Sequence, residues 1–412
     1  MASRKLTTTI RHQLYSFAKK FASLFTDSRR RRFIQDMVVG LVAAGHVHLT
    51  AVARALSNGA GNLHATEKRL SGHLASTHWD LSPVADRLLE WSAARVTDDS
   101  LIVADLTDLA KPHAKKLEGL ARVHDGSDPH GRIVPGYCIF EAHVRVRKWQ
   151  LFPLAVEPLK VYSGASTSEN AELLREIFHI HEAAGGKGTW MLDRGFDRRG
   201  LFQPLVKRGV AFVVRQRGDR LVRTADGKIQ SVDQVVAGID CPKRERWPQG
   251  GVATTVEVWL PEVSDRPFLL VVGWRYPRSG KPLVLLVSPD ARRPQRTARW
   301  FVTAYLRRWG IEDATRGLKQ QFKLELFLVR SWRSIRRLLW LVAVAFWWLN
   351  LWGDEKFRRL RDALMSHPWR LRKRVVYLFN WLANLLRRIL HPPPSLVALT
   401  GCIPGRSSLT LR

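Results

Sequence analysis

From Leu338 to Trp352 the chain runs for fifteen residues with a single polar side chain, Asn350. A helix that is apolar on every side must be surrounded, either by protein or by lipid. The run is shorter than the roughly 18–20 residues that cross a bilayer. It is bounded by Arg336 and Arg337 on one side and by Gly353 and Asp354 on the other. The expectation is a helix buried in a large core, with no membrane as partner. A chain of 412 residues has room for two or three domains to supply that cover.

Around this run the pattern changes twice. Residues 1 to about 95 read as helical. Ala51 to Leu56 follows Thr50 and is stopped by Ser57-Asn58-Gly59, and Glu67 to Leu70 follows Thr66, with Leu74 completing an apolar i, i+4 pair. Near Leu101 the signals become those of strands. Leu101–Ala104 and Trp190–Leu192 are short apolar runs, and Ile133–Trp149 and Leu151–Val156 are β-rich, joined by a hairpin at Arg147-Lys148. Thr167–Ala184 and Arg198–Arg208 read as helices, stopped by Gly185-Gly186 and by Gly209. Strand signals then crowd together at Val210–Val214, Val252–Leu260, Phe268–Trp274 and Leu283–Val287. From Thr297 the chain is helical again to Leu390, where His391-Pro392-Pro393-Pro394 ends it. The order predicts an α/β fold, a sheet covered by helices. Its expected parts are a helical region 1–95, a core 96–350 with a β-rich insertion at about 209–295, and a C-terminal helical region 351–412.

Charge and cysteine usage narrow the partners. Lys and Arg number 67 against 36 Asp and Glu, a formal +31, which asks for a polyanion: DNA, RNA or an anionic membrane surface. Arg29–Arg32 suits either a solvated helix end or phosphate contacts. Cys138, Cys241 and Cys402 lie far apart with no CxxC pair, so neither a zinc site nor a disulfide framework is expected. That pattern fits a reducing cytosol. Arg4, Lys5 and Arg11 stand near the N-terminus without an apolar stretch, so no signal peptide is read there.

Two aspartates follow the two short apolar runs, Asp105 after Leu101–Ala104 and Asp193 after Trp190–Leu192. If those strands neighbour each other in one sheet, the carboxylates stand side by side. Asp108 is the alternative to Asp105, should the strand end later. Asp197 reads as the N-cap of the helix from Arg198. A third acid is set in a register. On one helix, Tyr305, Arg308, Glu312, Arg316 and Lys319 share a face, while Ile311, Ala314, Leu318 and Phe322 gather on the other. A solvated face of i, i+4 pairs accounts for the charges but not for an acid outnumbered by cations beside a tyrosine. A metal-held carboxylate flanked by phosphate-binding cations accounts for both. Oxygen ligands suit Mg²⁺ or Mn²⁺, and two such ions ~3.5–4 Å apart support in-line phosphoryl transfer. Lys111 to Lys116, with Lys115 and Lys116, are placed to add phosphate contacts near Asp105. His113, His124, His130 and His143 have no ligand spacing and read as loop or surface residues.

These residues carry a family resemblance. Tyr305, Arg308, Glu312 and Lys319 match the Tyr-x₂-Arg-x₃-Glu-x₆-Lys signature of DDE-class bacterial insertion-sequence transposases of the type-four group. Asp105-Leu106-Thr107 resembles the first-aspartate motif of that group, and Asp193-Arg194-Gly195-Phe196-Asp197 the second. The resemblance spans about residues 50 to 350. It implies an RNase H-like catalytic core whose β-rich insertion lies between the second Asp and the Glu; 119 positions separate Asp193 from Glu312. It implies metal-dependent strand cleavage and strand transfer, cut-and-paste, by Asp105, Asp193 and Glu312 holding two Mg²⁺ (or Mn²⁺) ions. Tyr305, Arg308, Lys319 and Arg316 would bind DNA near the scissile phosphate. A tryptophan, Trp274 or Trp300, would stack on a flipped base. The implied partners are double-stranded DNA, at the terminal inverted repeats and the target, and a second copy of the chain in the DNA complex. The location would be the bacterial nucleoid. The helices at about 40–80 are the candidates for specific end binding. The competing expectations are a domesticated, binding-only relative, or a basic RNA-binding or membrane-associated protein, which leaves the Tyr-Arg-Glu-Lys register unexplained.

Overall fold

The computed structural model describes residues 2–365, apart from 57–61, 126–127, 129, 148–149, 161–167, 240–244, 248–250 and 276–280; beyond 365 it describes 384, 386, 387 and 390. Most of 366–390, the end of the helical stretch expected from Thr297 to Leu390, lies outside those residues, as do its Pro stop, the Ser57-Asn58-Gly59 stop and the Lys148 turn.

The N-terminal region is helical, as expected: α1 (Ala2–Ala22), α2 (Ser28–Ala44), α3 (Leu49–Leu56), α4 (Leu63–Ala75) and α5 (Ser82–Ala93). Asp27 caps α2 by accepting from the backbone N–H of Arg29 and Arg30, and Gly45, at φ 59°, ends it in the left-handed region. Thr50 and Thr66 lie inside the helices they were read as preceding. Thr50 Oγ1 instead donates to Glu67 Oε1 at 2.9 Å, tying α3 to α4.

Next come β1 (Leu101–Ala110), β2 (Ala121–His124), β3 (Ile133–Arg147), β4 (Gln150–Pro158), α6 (Glu169–Ala183), β5 (Thr189–Leu192), α7 (Arg199–Lys207) and β6 (Phe212–Arg215). They are followed by β7 (Leu221–Arg223), β8 (Ile229–Ser231), α8 (Val232–Ala237), β9 (Glu245–Trp247), β10 (Gly251–Leu260), β11 (Val263–Arg275) and β12 (Leu283–Val287). The chain then returns to helices: α9 (Ala298–Leu306), α10 (Gly310–Arg316), α11 (Trp332–Asn350) and α12 (Arg358–Met365).

The hydrogen-bonded order is β2-β3-β1-β5-β6-β12-β11-β10-β7-β8, with β4 on β3 and β9 on β10. β3 pairs antiparallel with β1 and β4, whereas β1, β5 and β6 run parallel. An antiparallel meander continued by two parallel strands, with helices on the sheet, is the RNase H-like arrangement. β12 pairs antiparallel with β6, so the added strands extend the same sheet. β6, inside the stretch read as the start of the insertion, bonds in parallel to β5.

Alternation places the two faces in separate cores. Trp190, Leu192, Phe212 and Val214 join the large core with the N-terminal helices and α11. Met191 and Val213 point the other way, into a smaller core with Phe301, Val302 and Tyr305 of α9. The long apolar helix α11 lies against β4, α2, α4 and α5. Within Trp332–Gly353 its apolar eighteen-residue window is 94% buried inside the protein. The one polar side chain of Leu338–Trp352 is satisfied: Asn350 Nδ2 donates to Phe346 O at 3.0 Å, and Leu151 N donates to Asn350 Oδ1 at 3.1 Å.

Candidate active site

The parallel ladder of β1 and β5 pairs Leu101 with Thr189 and ends at Ala104 with Leu192. One step further stand Asp105 and Asp193. The sheet thus sets the two carboxylates side by side, as the two short apolar runs implied. The position of Asp105 differs from expectation in one respect. β1 does not end at Ala104 but continues through Asp105 to Ala110, because β3 goes on pairing with it as far as Gly136. Only the β5 side opens, since β5 stops at Leu192 and turns into a 3₁₀ turn, Arg194–Phe196. The crevice at the carboxyl end of a parallel strand pair is where α/β sheets hold ligands.

Asp105 is governed first by burial. Burial pushes its carboxyl up to about 7, and Asp193 and Glu141 push the same way against the opposing pull of Arg308. Leu106 N donates to Asp105 Oδ1 at 2.9 Å. Asp108 lies three residues on, so the strand turns it to the other face. Its carboxylate accepts from His124 N at 3.0 Å. Asp105, and not Asp108, is the acid brought to Asp193.

The segment that carries Glu312 is helical throughout but not one regular helix. α9 passes through a 3₁₀ turn at Arg307–Trp309 into α10, and then into a π turn at Gly317–Gln321. The apolar side is as expected, with Ile311, Ala314, Leu318 and Phe322 all buried. The polar side divides into two groups. Arg308 Nη2 stands 3.9 Å from Asp193 Oδ1 and 3.9 Å from Glu312 Oε1. Its guanidinium lies 5.4 Å from the Tyr305 ring centroid, and the Tyr305 hydroxyl donates to Asp193 Oδ1 at 3.4 Å. Tyr305 and Arg308 are 2% and 4% exposed, so both face the acids and the sheet. Burial pushes the Tyr305 phenol up to about 12. For Arg308, burial opposes the charge, but Tyr305, Asp193 and Asp105 outweigh it and raise the pKa. The Glu312 side chain is 52% exposed. The π turn carries Lys319 along β1, where Nζ donates to Asp108 O at 2.6 Å and stands 3.4 Å from Glu325 Oε1. Arg316 is half-buried.

The donors suit a hard divalent cation in kind: carboxylate oxygens only, with a raised Asp105 pKa that a cation would lower. Among the described residues no three His, Cys, Asp or Glu side chains stand close enough to hold an ion together. Arg308 bridges Asp193 and Glu312 instead.

Asp197 does not cap the helix from Arg198: its side chain accepts from Arg220 Nε at 2.5 Å and from Arg217 N at 3.2 Å. Arg198 is the cap position of α7. His143 is neither loop nor surface but fully buried in β3, against Phe346 of α11. Lys111 is spent on the fold, its Nζ donating to Glu325 O at 2.5 Å and Phe327 O at 2.7 Å. Lys115 and Lys116 remain exposed beside it. They line an approximately 1110 Å³ cleft with His46, His48, His113 and Arg330.

Trp274 and Trp300 are both partly buried, against opposite faces of the sheet. Trp309, a third candidate that the sequence analysis does not single out, is 56% exposed and follows Arg308 directly. An aromatic ring at the edge of the cationic stripe, beside Arg316 at helical spacing, is the available signal.

The family described as the transposase DDE domain matches residues 96–348. No curated protein matches the chain significantly in sequence. Among solved structures the chain is similar to a piggyBac transposase synaptic complex with hairpin DNA, at 13% identity and a TM-score of 0.40, over 96% of this chain and 84% of that one. The family match spans more than half of the chain and takes in Asp105, Asp193, Glu312 and the sheet between them, and the chain therefore belongs to the DDE transposases.

Proposed function

We propose that this DNA-acting polynucleotidyl transferase moves its own insertion element by cut-and-paste, with Asp105, Asp193 and Glu312 as its catalytic carboxylates. The observation that carries the reading is the parallel register that sets Asp105 beside Asp193, with Arg308 reaching from there to Glu312. DDE transposases depend on divalent metal. Two Mg²⁺ (or Mn²⁺) ions held by the three acids would supply Lewis-acid stabilisation of the attacking and leaving oxygens. Tyr305 and Arg308 hold Asp193 in place and keep the cluster charge-balanced until it is loaded. Lys319, Arg316 and the exposed Lys115, Lys116 and Arg330 of the neighbouring cleft offer cations to DNA phosphates. The formal charge of +31 supports that role. Two copies would act together, one on each end of the element.

The test is to incubate the purified chain with Mg²⁺ and a duplex that carries the ends of its own element. Strand breaks at the element boundary, followed by joining to a target duplex, are expected. Specific end binding without any strand break would overturn the reading in favour of a binding-only relative.

A further inference from the structure

Glu141 is a fourth carboxylate at this site. It faces Asp105 directly across the antiparallel ladder of β1 and β3. Residues opposite one another in such a pair project from the same face of the sheet. Glu141 is fully buried. Its Oε2 accepts from Thr315 Oγ1 at 2.9 Å and stands 3.5 Å from His143 Nε2. Among the described residues, its Oε1 and both ring nitrogens of His143 have no hydrogen-bond partner. A buried carboxylate with an orphaned oxygen is costly to keep. Leu or Val would suit the strand better.

The helical end of its hydrogen bond gives the reason. Thr315 lies on α10, one turn after Glu312. Two strand positions beyond His143, Arg145 donates through Nη1 to the backbone oxygen of Arg307. Glu141, His143 and Arg145 alternate along one face of β3, so the strand grips the Glu312 segment at both ends. The fit between the grips is close. A Cβ added at Gly310 would meet Arg145 Nη1 at 3.3 Å and Leu151 Cδ1 at 3.4 Å.

We propose that Glu141 is a positioning residue. Through Thr315 it fixes where α10 sits on β3, and hence how far Glu312 stands from Asp105. The proposal rests on Asp105 and Glu312 being catalytic. A displacement of about 1 Å costs up to roughly a hundredfold in rate. Thr315→Val should therefore lower the single-turnover cleavage rate about ten- to a hundredfold without changing the Kd for end DNA. Thr315→Ser and Glu141→Gln, which keep a hydroxyl donor and an oxygen acceptor, should stay within about threefold of wild type. Glu141→Ala combined with Thr315→Val should cleave no more slowly, and melt no lower, than the worse single variant. Unchanged cleavage in Thr315→Val, an equal loss in Thr315→Ser, or additive losses in the double variant would each overturn it. Asp105→Ala and Glu312→Ala are the controls: if both still cleave, the site assignment itself has failed.

Discussion

Replacing Asp105 with Asn should make the metal-free protein more stable at neutral and alkaline pH. In the folded chain the Asp105 carboxyl holds its proton up to about pH 7, chiefly through burial, against an ordinary value of 3.8. Between those values the unfolded chain has released the proton while the folded one retains it. Stability from this group is therefore complete below about pH 3.8, falls as pH rises, and is gone above about pH 7. At ~1.36 kcal/mol for each pH unit the full loss is about 4 kcal/mol. Asn keeps the shape and can still accept from Leu106 N, but it has no proton to lose. The variant should match wild type near pH 4, exceed it by roughly 1.5 kcal/mol at pH 5, and by about 4 kcal/mol at pH 8. Paired urea unfolding curves in EDTA from pH 5 to 8 measure the gap, and the difference cancels the other titrating groups. A gap that is flat with pH, or a wild type more stable than the variant at pH 8, would refute the burial and crowding of Asp105. A site that gives up stability for charge placement is the expected signature of function.

Magnesium should raise the melting temperature of the wild type and leave Asp105→Asn nearly unmoved, as a thermal scan with and without EDTA would record. Arg337→Ala should cost roughly 3–5 kcal/mol in chemical unfolding. Its buried guanidinium donates to the backbone oxygens of His73, Leu74, Ser76 and Trp79, tying α11 to the N-terminal helices. Trp309→Ala should melt like wild type but bind end DNA about 1–3 kcal/mol more weakly if the exposed ring stacks on a base, which a titration against labelled duplex would show.

The parts of this site that were legible in the sequence are those governed by local periodicity. Short apolar runs ending in Asp mark buried parallel strands, and Asp105 and Asp193 follow from them. The apolar stripe Ile311, Ala314, Leu318 and Phe322 survived the change from 3₁₀ to α to π turn, since each lies against the core. What could not be read depends on distant partners. β1 runs through Thr107 and Asp108, residues that favour turns, because β3 supplies hydrogen bonds as far as Gly136. His143 is buried with α11 against it, an arrangement created 203 residues downstream with Phe346. Asp197 is no cap because α7 begins one residue later than the pattern implies, which leaves Arg198 at the cap position, and Arg220 from another part of the chain takes the Asp197 carboxylate. The contacts of Tyr305 and Arg308 with Asp193 likewise depend on how closely α9 and the 3₁₀ turn after it approach the sheet.

The central claim is that Asp105, Asp193 and Glu312 act together on DNA. Its most direct test is Mg²⁺-dependent cleavage of an element-end duplex by Asp105→Ala, Asp193→Ala and Glu312→Ala, each alone, alongside end binding in EDTA. Cleavage should be abolished in all three while binding stays within a few-fold of wild type. Full cleavage by any one of them would remove that residue from the site and contradict the account.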